Sequence, residues 1–234
     1  MNMRSKAWIY ILSIIITLSV FCCTKENKDE PLILPPNTMA DIDRNIYKTV
    51  TIGSQVWMAE NLKVTHYRNG EQIPSLKQIS WQGTEEGACC NLNDHPGNNE
   101  TFGKLYNGFA VLDSRNIAPD GWHIPSNTEW FVLIDYLGGQ MVAGGKLKDT
   151  SLNWMQPNIG ATNESGFTAL PGGCRAFDML VDHGAYYSGF WWSSTEHDSK
   201  NIHYLQLNNY NARTSNLSHN CSKQQGLSIR CVKD

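Results

Sequence analysis

The side chains in this sequence with most chemistry to offer are its cysteines, its histidines and one run of aromatic residues. Beyond residue 23 the cysteines are Cys89, Cys90, Cys174, Cys221 and Cys231. In an oxidising compartment such thiols pair where geometry permits. Five is an odd number, so one is left over. No two of them form a Cys-x-x-Cys unit, which leaves a thioredoxin-like or zinc-ribbon site without support. None of the histidines lies four residues from another on a helix, and His183, His197, His203 and His219 stand in no metal-ligand pattern. His123, inside Gly-Trp-His-Ile-Pro-Ser, is expected to satisfy a local backbone group. Ser193 and Ser194 lack the glycine frame of a nucleophile elbow. Gly144-Gly145 and Gly172-Gly173 read as turns, because neither sits between a strand and a helix as a phosphate loop would. No catalytic residue and no metal site is assigned on these grounds.

Binding chemistry has better candidates. Tyr186, Tyr187, Phe190, Trp191 and Trp192 could stack on sugar faces, with Ser193, Ser194 and Glu196 near enough in sequence to meet hydroxyl groups. Trp191 and Trp192 are adjacent on an extended segment and must point to opposite faces. Core packing therefore competes for both, whereas Tyr186 and Tyr187 sit in a loop bounded by glycines. Ca²⁺ needs six to eight oxygen ligands, and Glu196 and Asp198 are the carboxylates best placed to supply some of them. The expected ligand residues are Tyr186, Tyr187, Trp192, Glu196 and Asp198, with no obligatory cofactor.

These residues have to be delivered to a compartment. Arg4 and Lys6 precede an apolar run from Trp8 to Phe21, fourteen residues long. A membrane-spanning helix wants ~20, so the layout is that of an export signal. The run ends in Val20-Phe21-Cys22-Cys23, which resembles a lipobox, and Cys23 is the expected lipidated residue because Cys22 before it is small. Residues 1–22 are then the signal peptide and residues 23–40 a lipid-anchored tether. Lys25-Glu26 and Lys28-Asp29-Glu30 resemble the signal that sends lipoproteins to the outer face of an outer membrane, and Pro31, Pro35 and Pro36 keep the segment extended. Removing the signal moves the net charge from −3 to −5. That mild acidity gives no reason to expect a nucleic-acid partner.

The remaining 41–234 suits one domain. Ile46–Ile52 and Gln55–Met58 read as a hairpin about Gly53-Ser54. Residues 81–104 read as loop. Lys104-Leu105-Tyr106-Asn107 begins a short buried strand or helical turn. A helix is expected over about Asn127–Leu137. Ser126 is its cap, Glu129 completes a capping box, and Trp130, Leu133, Ile134 and Leu137 form one apolar face, ended by Gly138-Gly139. A weaker helix is expected over Met141–Lys148. Three strands are expected near 190–195, 203–207 and 227–232. Antiparallel strands around one or two helices make an α+β fold.

Several segments in order carry a resemblance: Thr51-Ile52-Gly53-Ser54-Gln55-Val56-Trp57-Met58-Ala59-Glu60-Asn61-Leu62, Gly103-Lys104-Leu105-Tyr106-Asn107, Ala118-Pro119-Asp120-Gly121-Trp122-His123-Ile124-Pro125-Ser126, Leu170-Pro171-Gly172-Gly173, Trp191-Trp192-Ser193-Ser194-Thr195 and Ser228-Ile229-Arg230-Cys231-Val232. Together they resemble the Fibrobacter succinogenes major paralogous domain, over roughly residues 41–234. The resemblance implies a secreted, often lipid-anchored protein with no established reaction and a C-type lectin-like fold, a superfold that also hosts formylglycine-generating enzymes. Fold alone does not carry function across such a set.

The resemblance also bears on the thiols. Cys90 and Cys231 stand where the family usually has cysteines, which implies a bond between them. Cys174–Cys221 would be the second pair, with Cys89 free; the alternative is Cys89–Cys174 with Cys221 free. Cys89 and Cys174 replace residues that are usually aromatic. Gln156-Pro157-Asn158 is similar to the amide–Pro–amide motif of sugar-binding C-type lectins, but lacks their downstream Trp-Asn-Asp. The expected function is a surface-exposed, outer-membrane-anchored binding module for a glycan or an envelope or extracellular protein, without catalysis. The competing expectations are an oxidase of the formylglycine-generating type and a structural subunit of a surface complex.

Overall fold

The computed structural model describes residues 32–176 and 182–234, and Leu34–Asp234 pack as one unit. Cys23, the signal 1–22 and the tether up to residue 31 lie outside the described residues. The strands are β1 (Thr38–Ala40), β2 (Ile46–Ile52), β3 (Gln55–Met58), β4 (Cys89–Asn91), β5 (Lys104–Asn107), β6 (Trp122–His123), β7 (Cys174–Arg175), β8 (Asp182–His183), β9 (Ser188–Glu196), β10 (Asn201–Asn208), β11 (Asn220–Ser222), β12 (Gly226–Leu227) and β13 (Val232–Lys233). The helices are α1 (Gln78–Trp81), α2 (Asn98–Phe102), α3 (Gly108–Val111), α4 (Asn127–Tyr136) and α5 (Ala143–Leu147). The fold is mixed and mostly sheet; the described residues form three antiparallel sheets ordered β1-β2-β3-β13-β6, β11-β10-β9 and β4-β5-β12-β7-β8.

The opening hairpin forms as its residue pattern dictates. Ile52 faces Gln55 across the two-residue Gly53-Ser54 turn, and Val50 faces Trp57. Gly53 takes a left-handed φ of 61° and lies against the Tyr136 ring, so a side chain there would be both strained and crowded. Helix α4 carries the full capping box: the Ser126 hydroxyl accepts from the Glu129 amide at 3.3 Å, and the Glu129 carboxylate accepts from the Ser126 amide at 2.8 Å. Its buried face is Trp130, Leu133 and Ile134.

Two expectations are corrected. Residues 81–104 are not all loop. Cys89 pairs with Tyr106 and Cys90 with Leu105, so β4 and β5 form a ladder with both cysteines buried. The composition hid this because the strand is only three residues long and is flanked by polar turns. The expected single strand over 227–232 is instead a seam touching all three sheets. Leu227 pairs with Tyr106, Ser228 exchanges backbone bonds with Phe190 and Trp192 at 3.1 Å each, and Val232 pairs with both Trp57 and His123.

The seam's two faces explain its alternation. Leu227, Ile229 and Cys231 enter one apolar cluster with Tyr47, Met58, Tyr106 and Trp192. On the other face Arg230 is fully buried. It donates to the Asn61 side-chain oxygen at 2.8 Å, to the Met58 carbonyl at 3.3 Å, to the Thr168 carbonyl at 2.8 Å and to the Phe167 carbonyl, while its guanidinium lies 4.4 Å over the Phe167 ring. A second cluster gathers Trp57, Trp130, Trp154, Phe167 and Trp191. Trp191 and Trp192 do point to opposite faces of β9, and both faces are covered.

Candidate functional site

One exposed constellation lies on three loops, two of which pack on α5. The first is the 149–161 loop, in which Trp154 is buried and donates to the Ala169 carbonyl at 2.9 Å. Anchored there, the loop leaves Leu152 91 % exposed and Met155 and Ile159 nearly half exposed. The second is the turn before β9, with Tyr186 40 % and Tyr187 50 % exposed; Tyr186 has a left-handed φ of 69° and meets Phe102 edge-on at 5.7 Å. The third follows β10 and carries Tyr210, 63 % exposed.

Backbone hydrogen bonds hold these loops together. The Met155 amide donates to the Tyr186 carbonyl at 2.8 Å, the Asn209 amide to the Tyr187 carbonyl at 2.9 Å, and the Ile159 amide to the Asn209 carbonyl at 2.8 Å. The buried Asn209 side chain adds a bond to the Met155 carbonyl at 3.0 Å. Beneath them α5 approaches the loop backbone directly. The Gly145 amide donates to the Ala212 carbonyl at 2.9 Å, and a Cβ on Gly144 or Gly145 would collide with the Arg213 or Gly160 carbonyl. The glycine pair expected as a turn is therefore helical, and is there to let two backbones touch.

Lys148, just past α5, is fully buried. Its three ammonium protons meet three backbone carbonyls: Ile159 at 2.9 Å, Asn208 at 3.0 Å and Asn211 at 2.8 Å. Burial lowers its pKa to about 8, but three acceptors match the three donors of an ammonium. The ring of Trp154 lies 5.5 Å from the nitrogen.

The residues expected to bind ligand are not all here. Tyr186 and Tyr187 are exposed on this surface. Trp192 is corrected to a core residue: it is fully buried and donates to the Tyr106 carbonyl at 2.7 Å. Glu196 and Asp198 belong to the opposite end of β9, roughly 25 Å away at the usual rise per strand residue. Glu196 pairs with Lys223 at 2.6 Å. Asp198 accepts from the Asn201 side-chain amide and from the Lys200 and Asn201 backbone amides, which hold its carboxyl below the ordinary range. Among the described residues no group of three or more His, Cys, Asp and Glu side chains could hold a metal ion. Gln156-Pro157-Asn158 occupies the exposed loop with a cis peptide before the proline, and the Asn158 side-chain nitrogen donates to the Asp149 carbonyl at 2.8 Å.

Sequence reasoning missed Tyr210, Leu152, Met155, Ile159 and Lys148. The polar turn Asn208-Asn209-Tyr210-Asn211 was the available signal for Tyr210. Lys148 gave none, since a single lysine after a helix reads as solvated.

The five thiols are free, which corrects the disulfide expectation. Cys90 packs with Trp81, Leu92 and Leu105, and Cys231 with Tyr47 and Met58 in a different cluster, so the expected pair does not meet. Cys174 and Cys221 do pack into one cluster. Burial raises the pKa of Cys89, Cys90, Cys221 and Cys231, and that of Cys174 to about 12. His123 also differs from expectation. It bridges two carboxylates, Glu129 and Asp234, at 2.6 Å each.

Fold and surface define a β-rich domain whose loops present aromatic and aliphatic side chains over a rigid base. The chain belongs to the Fibrobacter succinogenes major domain family, whose model matches residues 50–233. No curated protein and no solved structure matches it.

Proposed function

We propose that this domain is a binding module without catalysis, held at the cell surface by a lipid on Cys23, and that the loops bearing Tyr186, Tyr187 and Tyr210 are its ligand face. The observation that carries the reading is the bracing of three exposed tyrosines by backbone bonds and a buried ammonium. Rigid aromatic side chains lose little freedom on binding and supply much contact area. A glycan is the first ligand class, because sugar faces stack on such rings. An extracellular protein is the second, favoured by Leu152, Met155 and Ile159, whose aliphatic exposure suits a protein interface better than a sugar. The thiols weigh against the oxidase alternative, since burial keeps them protonated and poorly nucleophilic.

The C-type lectin-like assignment is proposed on the same footing. It is supported by β13 returning to pair beside β3 of the opening hairpin.

The test is a glycan array probed with the soluble domain, in Ca²⁺ and in chelator, beside Tyr187→Ala and Tyr210→Ala. Glycan binding lost in both variants supports the reading. Binding that survives both would move the ligand face elsewhere. For the anchor, fatty-acid labelling should mark the wild type and not Cys23→Ala, and protease added to whole cells should shave the domain.

A further inference from the structure

A buried ammonium without a carboxylate partner is unusual, because burial costs an unpaired charge several kcal/mol. Among the described residues Lys148 has no carboxylate partner, and its surroundings explain why it persists. Its three acceptors come from two separate segments: the Ile159 carbonyl from one loop, and the Asn208 and Asn211 carbonyls from the end of β10 and the loop that follows it. Converging carbonyls from separate loops are what a protein offers to a bound cation. Here a side chain supplies the cation from within, tethered to α5. The same two loops carry Met155, Ile159 and Tyr210, and the Met155 and Asn209 amides tie them to the Tyr186 and Tyr187 carbonyls.

We propose that Lys148 is the positioning residue of the tyrosine surface: its ammonium takes the place of a bound cation and fixes the three loops relative to one another. The proposal rests on these loops being the ligand face, but its core is a statement about loop order that can be read without any ligand. Two consequences follow from the geometry. The surface needs no added metal ion to hold its shape. Shortening Lys148 should leave a cavity of three carbonyls that a small organic cation can refill. Lys148→Ala deletes three carbons and the nitrogen, which is the outline of n-propylammonium.

The experiment uses the full chain, with hydrogen exchange as the readout. In wild type, the amides of Met155, Ile159 and Asn209 should exchange slowly. In Lys148→Ala their exchange should rise roughly tenfold or more, as loss of hydrogen bonds to a charged group requires. The amides of Val50 and Trp57 in the β2–β3 ladder should change little. Adding n-propylammonium should restore loop protection, and n-propanol of similar length should not.

Unchanged loop exchange in Lys148→Ala would overturn the proposal, as would equal rescue by n-propanol, which would make the aliphatic stem the active part. Uniform loss of protection across the domain would show that Lys148 holds the whole core and not these loops. Should the variant fail to fold, refolding by n-propylammonium alone supports the proposal, and failure of that rescue overturns it. If loop order depends on Lys148 while Tyr187→Ala leaves glycan binding intact, the ligand-face reading fails and the positioning role stands.

Discussion

Replacing Arg230 by methionine tests the packing of the seam directly. The guanidinium serves the carbonyls of Phe167, Thr168 and Met58 and the Asn61 side chain. Asn61 keeps a second donor, Trp191 Nε1 at 2.9 Å, so the Phe167 and Thr168 carbonyls lose most. A buried acceptor left without its donor costs about 1–3 kcal/mol, so two cost about 2–6 kcal/mol. Methionine fills most of the volume and removes the burden of a buried charge, which offsets part of this. The expected net loss is about 3 kcal/mol. At about 2–4 °C per kcal/mol for a domain of this size, Tm should fall by about 6–12 °C in a calorimetric scan. Asn61→Leu and the double variant complete a cycle, and the two sites share a hydrogen bond, so their coupling should exceed about 1 kcal/mol. A Tm within about 2 °C of wild type, or additive single effects, would refute the claim that this buried arginine holds the seam.

Other consequences are open to simple measurement. Burial opposes the charged form of His123, but the hydrogen bonds to Asp234 and Glu129 outweigh it and raise its pKa. The stability it adds is fully present below its unfolded pKa of about 6.5 and is lost as pH rises through the higher folded value. Both ring and carboxylates are partly exposed, so the effect is below about 1 kcal/mol; His123→Gln should flatten that part of a stability-against-pH curve. Ser126→Ala should cost about 1 kcal/mol in urea unfolding, and Trp130→Ala about 3–5 kcal/mol. Gly145→Ala should cost about 1–3 kcal/mol by forcing α5 off the Gly160 carbonyl, visible as a lowered urea midpoint. Tyr187→Ala and Tyr210→Ala should shift stability by no more than about 0.5 kcal/mol in the same unfolding assay.

The elements legible in the sequence were those whose local rules agree with their packing. Ser126, Glu129 and the Trp130–Leu137 face specify α4 within one short stretch, and Gly53-Ser54 specifies the hairpin. The seam was not legible as such, because alternation in 227–232 shows which residues share a face but not that three different sheets use them. Trp192 was misassigned for the same reason. A tryptophan beside serines reads as platform or core, and its full burial and its bond to the Tyr106 carbonyl make it core. The expected Cys90–Cys231 pair rests on family positions and not on the chain's own geometry, which puts the two thiols in different clusters. The loop surface was half legible: glycines around Tyr186 and Tyr187 marked an exposed turn. Its partners Tyr210 and Met155 come from segments 24 and 31 residues away from Tyr186, and only their backbone bonds reveal them as neighbours.

The seam also has a bearing on the order of events during synthesis. The hairpin β2–β3 can close on its own, yet its outer edge waits for residues 229–232, and Arg230 reaches Met58 across a sequence separation of 172. An isolated hairpin is marginally stable in water, and contacts this distant carry a large closure cost before they stabilise anything. A chain still being made therefore has no route to its finished core. The core stays incomplete until the last described strand emerges, and then the sheets gain their shared member at once.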